Sequence, residues 1–241
     1  MSIIVDNQVR TATGWMRIDA VLTWAEARDG TTASNAYPDI TYLTVASTKY
    51  GRTTPNYLCA RSFLDLRFGF NNPENEQADQ GYIAPYSGDI ESATLFAYRW
   101  SGGGDSVVLV KSSASRTHPS QFAKMFFPDG DPAGGDDMIL YSEKPDNASH
   151  PSWSSWELNA AGLEGLQNSI AGNGILAGDG YVGDDYDFPF ALVSLYDIDN
   201  YTPTNTSLYT NFYSETAAMT SLRPYLRIVY KDPTVFFGAN F

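Results

Sequence analysis

From Tyr225 to Tyr230 the chain reads YLRIVY. Leu226, Ile228 and Tyr230 alternate with Tyr225, Arg227 and Val229, and a period of two puts one set on each face of a pleated sheet. Pro224 stands at the first strand position, where no ladder donor is required of it. The earlier apolar strands need a partner late in the chain, so this stretch reads as the closing strand of the domain. The same texture recurs upstream. In Tyr57–Phe70, Leu64, Leu66, Phe68 and Phe70 share a face opposite Asp65 and Arg67. In Ile90–Trp100, Ala93, Leu95 and Ala97 oppose Thr94, Phe96 and Tyr98. Ile40–Ala46, Val107–Val110, Trp153–Leu158 and Leu208–Tyr213 read as further strands. Phe188–Tyr196 is almost continuously apolar and predicts a strand buried on both faces.

Turn chemistry separates these runs: Asp29-Gly30, Asn35 and Pro38, then residues 51–56, the polar NNPENEQADQG, a Gly-rich turn at 101–105 and a Gly/Asp loop at 172–187. Only residues 160–170 have helical spacing, through Leu163, Leu166 and Ile170. Many short strands and little helix predict an all-β fold, a jelly-roll β-sandwich of two antiparallel sheets with long loops and at most one or two short helices. Residues 39–231 form the sandwich. Residues 1–38 are an N-terminal arm or opening strands. Gly14 marks a turn there, and residues 17–28 suit either a strand pair or a short helix. Residues 112–152 read as a loop insertion, pinned to the body by an apolar patch from Phe122 to Phe127. Residues 232–241 are an apolar tail.

The length of 241 residues is within reach of one such domain, and 43% hydrophobic residues supply its core. A formal net charge of -13 argues against a direct nucleic-acid partner, which needs a basic face, and against anionic membrane surfaces. No stretch approaches the length of an apolar membrane span. The start MSIIVDNQVR lacks the basic and apolar regions of a secretory signal, so synthesis in a cytoplasm is expected. The one cysteine, Cys59, excludes an intramolecular disulfide and reads as a small buried hydrophobe.

Catalytic signatures are missing. His118 and His150 each precede a proline within the predicted insertion, a poor place to hold a base, and no nucleophile elbow, phosphate loop or zinc pattern occurs. Asp129, Asp131, Asp136 and Asp137, and Asp179, Asp184, Asp185 and Asp187, cluster with glycine but lack the spacing of a calcium loop. They read as solvated turns, so no metal and no cofactor is expected. With 28 acidic residues, chance carboxylate pairs carry no glycosidase signal. Flat aromatic faces suit the apolar face of a sugar ring. Trp100, Trp153, Trp156 and Tyr181 are the glycan-stacking candidates, against the plain alternative that a sandwich tryptophan is core.

The order RSFLDLRF, IESATLFAYRW, WELNAAGLEGL, FPFALVSLY and FYSETA…LRPYLRIVY resembles the DNRLRE-type jelly rolls, within the broad class of carbohydrate-binding-module-like sandwiches. Phe63-Leu64, Ser92 to Leu95, Ser214-Glu215 and Arg223 to Leu226 are the nearest points, over roughly residues 41–230. The string that gives the family its name does not occur in the chain. The resemblance implies a binding or structural role in a glycan-binding protein, a surface adhesin or a phage particle. The expected function is a non-enzymatic structural subunit of a tailed-phage virion: a capsid decoration, fibre or tail-surface protein. Its partners would be other virion proteins and copies of itself, and its location the virion. The alternative is a glycan-binding module for surface polysaccharide. A polysaccharide-degrading enzyme comes third. In the tail, Val235, Phe236, Phe237 and Phe241 are too apolar to stay in water. They dock either on the chain's own sandwich or on a neighbouring subunit.

Overall fold

The computed structural model describes residues 3–8, 11–38, 40–51, 53–67, 89–102, 106–114, 119–126, 138–143, 151–170, 187–204, 208–214 and 216–231. Among them the alternating runs form eleven strands: β1 (Ile3–Gln8), β2 (Thr11–Val21), β3 (Asn35–Pro38), β4 (Tyr42–Tyr50), β5 (Asn56–Arg67), β6 (Ile90–Gly102), β7 (Val107–Lys111), β8 (Ser152–Glu157), β9 (Asp187–Ser194), β10 (Tyr209–Tyr213) and β11 (Tyr225–Tyr230). The helices are short: α1 (Trp24–Arg28), α2 (Ala160–Ile170) and α3 (Leu195–Ile198). The fold is an all-β sandwich. Its antiparallel pairs nest first with last, β1 with β11, β4 with β10 and β5 with β9, the wrapping that rolls a long hairpin into two layers.

One layer runs β1-β11-β6-β10-β4, and β8 lies on the far side of β6. The other runs β3-β2-β5-β9-β7. The two join where residues 46–50 of β4 pair with residues 56–60 of β5. Between the layers lies the main core: Leu95, Leu226, Ile228 and Phe212 from the first, Leu64, Leu66, Leu109, Phe190 and Leu192 from the second, with Trp156 among them. The second layer is buried on its other face too. There Phe63, Val108, Val110, Ala191 and Val193 meet Trp24 of α1 and the segment Phe122–Phe126. A sheet covered on both sides needs apolar residues at every position, which is why β9 lacks alternation.

That second core is tied together by a buried charge. The Arg61 guanidinium, fully buried, donates from Nε to Asp197 Oδ2 at 2.7 Å and from Nη2 to Asp197 Oδ1 at 2.9 Å. Further N–H groups donate to the carbonyls of Arg28 (2.6 Å) and Phe122 (3.2 Å). The rings of Phe122 and Phe126 lie 4.4 and 4.5 Å from the guanidinium carbon. Burial works against this charge, yet the Asp197 carboxylate together with Cys59 and Asp29 more than offsets it and holds the Arg61 pKa above the ordinary arginine value.

Several expectations change. Residues 17–28 are neither a strand pair nor one helix: β2 continues to Val21, and α1 follows, started by a capping box between Thr23 and Glu26. Gly14 marks no turn but lies inside β2, beside an irregularity in its register. Within 112–152, Phe122, Met125 and Phe126 are buried, in keeping with a patch that pins this stretch to the body, and Ser113, Ala114 and Tyr141 are buried as well. The strand expected to reach Tyr196 stops at Ser194, whose hydroxyl accepts the Tyr196 N–H to start α3. β11 supplies the late partner that the earlier strands need, with β1 on one side and β6 on the other.

Candidate aromatic binding face

The outward face of the first layer is aromatic. Period two turns Phe96, Tyr98 and Trp100 of β6 outward while Leu95 and Ala97 point into the core. Register then sets partners from four other strands beside them. Tyr98 is opposite Trp153 of β8, Phe96 is opposite Tyr225 of β11, and Tyr213 of β10 is opposite Tyr42 of β4. Cross-strand neighbours on one face lie within ring contact. The contacts run without a break: Tyr42 to Trp100 at 6.2 Å, Trp100 to Tyr213 at 6.3 Å, Tyr213 to Tyr98 at 6.1 Å and Tyr98 to Trp153 at 5.5 Å. Trp153 then meets Tyr225 at 5.4 Å, and Tyr225 stacks on Phe96 at 4.8 Å.

These rings are not equally available. Phe96 and Tyr225 cover one another nearly in parallel and are half-buried. The outermost surface belongs to Trp100 (40% exposed), Trp153 (37%) and Tyr42 (36%). Polar groups border the run. Thr44 Oγ1 donates to Asn211 Oδ1 at 2.8 Å, and Asn211 Nδ2 donates to Ser101 Oγ at 2.9 Å. At the other end the Arg227 guanidinium lies 5.5 Å from the Phe96 ring and 5.8 Å from that of Tyr225. Asp6 of β1 accepts two hydrogen bonds from it, at 2.7 and 2.8 Å. The Arg227 hydrogen bond holds the Asp6 carboxyl below its usual pKa, so both groups stay charged and cancel.

Beside the run lies a groove of about 500 Å³ lined by Thr94, Glu143, Ser155, Glu157, Leu158, Asn159 and Ala160. Register makes it continuous with the rings, because Ser155 is opposite Phe96 and Glu157 is opposite Thr94. Asn159 shapes its wall: Oδ1 accepts the Gly162 N–H at 3.0 Å, and Nδ2 donates to the Leu140 carbonyl at 2.8 Å.

Of the stacking candidates, Trp100 and Trp153 stand on this face. Trp156 does not. It is 1% exposed, packs edge-on against Phe212 in the core, and its Nε1 donates to the Val107 carbonyl at 2.8 Å. The parity of β8 already forbids grouping it with Trp153, since residues three apart in a strand face opposite ways. Tyr181, the tail residues Val235, Phe236, Phe237 and Phe241, both histidines and all but Asp187 of the two aspartate clusters lie outside the described residues. Sequence reasoning does not bring Tyr42, Phe96, Tyr98, Tyr213 and Tyr225 together as one site. The alternation of their strands shows that each points opposite a core residue, but not that they are neighbours.

Among the described residues no three His, Cys, Asp or Glu side chains gather as a metal site would require. None of the helices there is long and apolar enough to cross a membrane. Cys59 is buried, and its thiol donates to Asp197 Oδ2 at 3.5 Å. No protein-family model matches the chain, and no curated protein matches it.

Proposed function

We propose that the chain is a non-enzymatic polysaccharide-binding protein whose ligand lies across the outer face of β4, β10, β6 and β8. The observation that carries this reading is the unbroken run of seven rings on one sheet face, with Trp100, Trp153 and Tyr42 outermost. Contiguous exposed apolar surface rimmed by polar groups marks interaction sites. Aromatic rings set among hydroxyl and amide groups suit a ligand that alternates C–H faces with hydroxyls. A glycan array followed by affinity electrophoresis tests it. Retention by a defined glycan is expected, and Trp100→Ala or Trp153→Ala should weaken it about tenfold, the equivalent of about 1.4 kcal/mol. Binding that survives both substitutions counts against this face.

A second reading is a structural subunit of a tailed-phage particle, as a decoration, fibre or tail-surface protein. The observation that favours it is the edge of β8, which among the described residues pairs with β6 alone and offers its other side for strand addition next to Trp153. Co-purification with particle proteins, lost on Ser155→Pro at that edge, is the expected result. Binding to glycans but to no particle component would set this reading aside.

A further inference from the structure

We infer that the ligand of this face is an extended, uncharged polysaccharide chain rather than an acidic one or a single sugar. This rests on the polysaccharide-binding reading above and adds the chemistry of the polymer.

The argument starts from charge. Among the described residues the cation against these rings is Arg227, and it is held by both carboxylate oxygens of Asp6 and already neutralised. In the groove the order of charge is reversed: Glu157 and Glu143 line it together with Ser155, Thr94 and Asn159. A uronate or sulfated chain that runs from Trp153 into the groove would bring its anions toward Glu157, four residues along β8, on a molecule that carries a net charge of -13. Like charges repel, and because Glu143 and Glu157 are both exposed to solvent the effect is strongest at low salt. An uncharged chain avoids this, and its hydroxyls can donate to the two carboxylates, which only accept hydrogen bonds.

Length follows from the geometry. The exposed rings begin at Tyr42 on β4 and end at Trp153 on β8, with β10 and β6 between them. Three strand spacings make this roughly 14 Å. The intervening rings, Tyr213 and Tyr98, fill the gap, so the surface is wider than one sugar ring and continuous along its length.

The test is affinity electrophoresis of the full chain in gels that contain hydroxyethyl cellulose, galactomannan, dextran, alginate or polygalacturonate. Retention in at least one neutral gel and in neither acidic gel is expected, with about a tenfold loss for Trp153→Ala. The monosaccharides of the retained polymer, at equal mass concentration, should fail to displace it. Glu157→Lys should create retention in alginate at low salt that fades as salt is raised, with an unchanged far-UV spectrum to show that the variant is folded. Stronger retention by an acidic polymer than by any neutral one, lost on Trp153→Ala, overturns this inference and leaves polysaccharide binding standing. Full displacement by monosaccharide overturns the extended chain, and an unaltered alginate mobility for a folded Glu157→Lys overturns the charge argument. Retention in no gel overturns the parent reading and this one with it.

Discussion

Arg61 and Asp197 are 136 positions apart in the chain, yet the pair holds the second core together. A buried pair gives little net stability over well-packed apolar residues, but loss of one partner strands the other charge. Arg61→Met is therefore expected to cost about 3–5 kcal/mol in urea unfolding. The double variant Arg61→Met, Asp197→Leu should recover most of that loss. A double variant no better than the single would mean that the two residues act independently. Burial also raises the pKa values of Cys59, Tyr141 and Tyr230. Each group is then neutral in the fold at a pH where the unfolded chain has begun to ionise. Their stabilising contribution is fully present below the unfolded values, about 8.5 for cysteine and about 10 for tyrosine, and is lost as pH rises through the folded ones. The free energy of unfolding should fall steadily from pH 8.5 to 11, and a flat profile would contradict the argument. At pH 8, a thiol reagent should modify Cys59 only after denaturation.

At the level of elements, α2 shows how a weak helix is placed. Its sequence AAGLEGLQNSI carries two glycines, each of which lowers helix propensity by about 1 kcal/mol relative to alanine. Both lie against Tyr141. A Cβ on Gly165 would stand 2.6 Å from the Tyr141 hydroxyl, and one on Gly162 would stand 2.9 Å from the Tyr141 carbonyl oxygen. Close approach, not turn geometry, is the reason for glycine here. Tyr141 in turn stacks on Phe188 at 5.4 Å, so the helix packs on the sheet through this ring. Gly165→Ala should destabilise the protein by about 1–3 kcal/mol through overpacking, despite the better helix former. Asn168→Ala on the exposed side should be neutral or slightly stabilising. A thermal melt separates the two, and a stabilised Gly165→Ala would show that α2 stands off further than the contacts indicate.

Across the whole molecule, the first strand pairs with the last. β1 covers one edge of β11, with Ile3 opposite Tyr230 and Gln8 opposite Tyr225. Ile4 of β1 is 61% exposed. Deletion of residues 1–8 should leave a folded β-protein of lower stability. It also opens the edge of β11 and removes the Asp6 partner of Arg227, and an uncovered strand edge invites pairing with another chain. Increased self-association by light scattering is the expected outcome. An unfolded product would show instead that β1 belongs to the folding core. The nested pairing makes most contacts distant in sequence, so slow, loop-limited folding is expected.

Local chemistry decided much of this without the fold. Steric alternation sets which residues of β6 and β11 share a face, so Leu95 with Ala97, and Leu226 with Ile228, are grouped by the chain alone, and the packing then puts those sets in the core. Spacing placed α2, and near-continuous apolarity showed that β9 is covered twice. The neighbours were a different matter. A period of two says that Trp153 and Trp156 face opposite ways, but it does not say which one enters the core. The pairing of β8 with β6 decides that, by setting Trp156 opposite Leu95 and Trp153 opposite Tyr98. The aromatic face, the groove beside it and the Arg61–Asp197 pair likewise depend on register between strands far apart in the chain. Register is the joint outcome of two layers packing at once. The sterics and hydration of a single strand reach only a few residues along it, so it was the tertiary structure that selected which exposed rings became one surface.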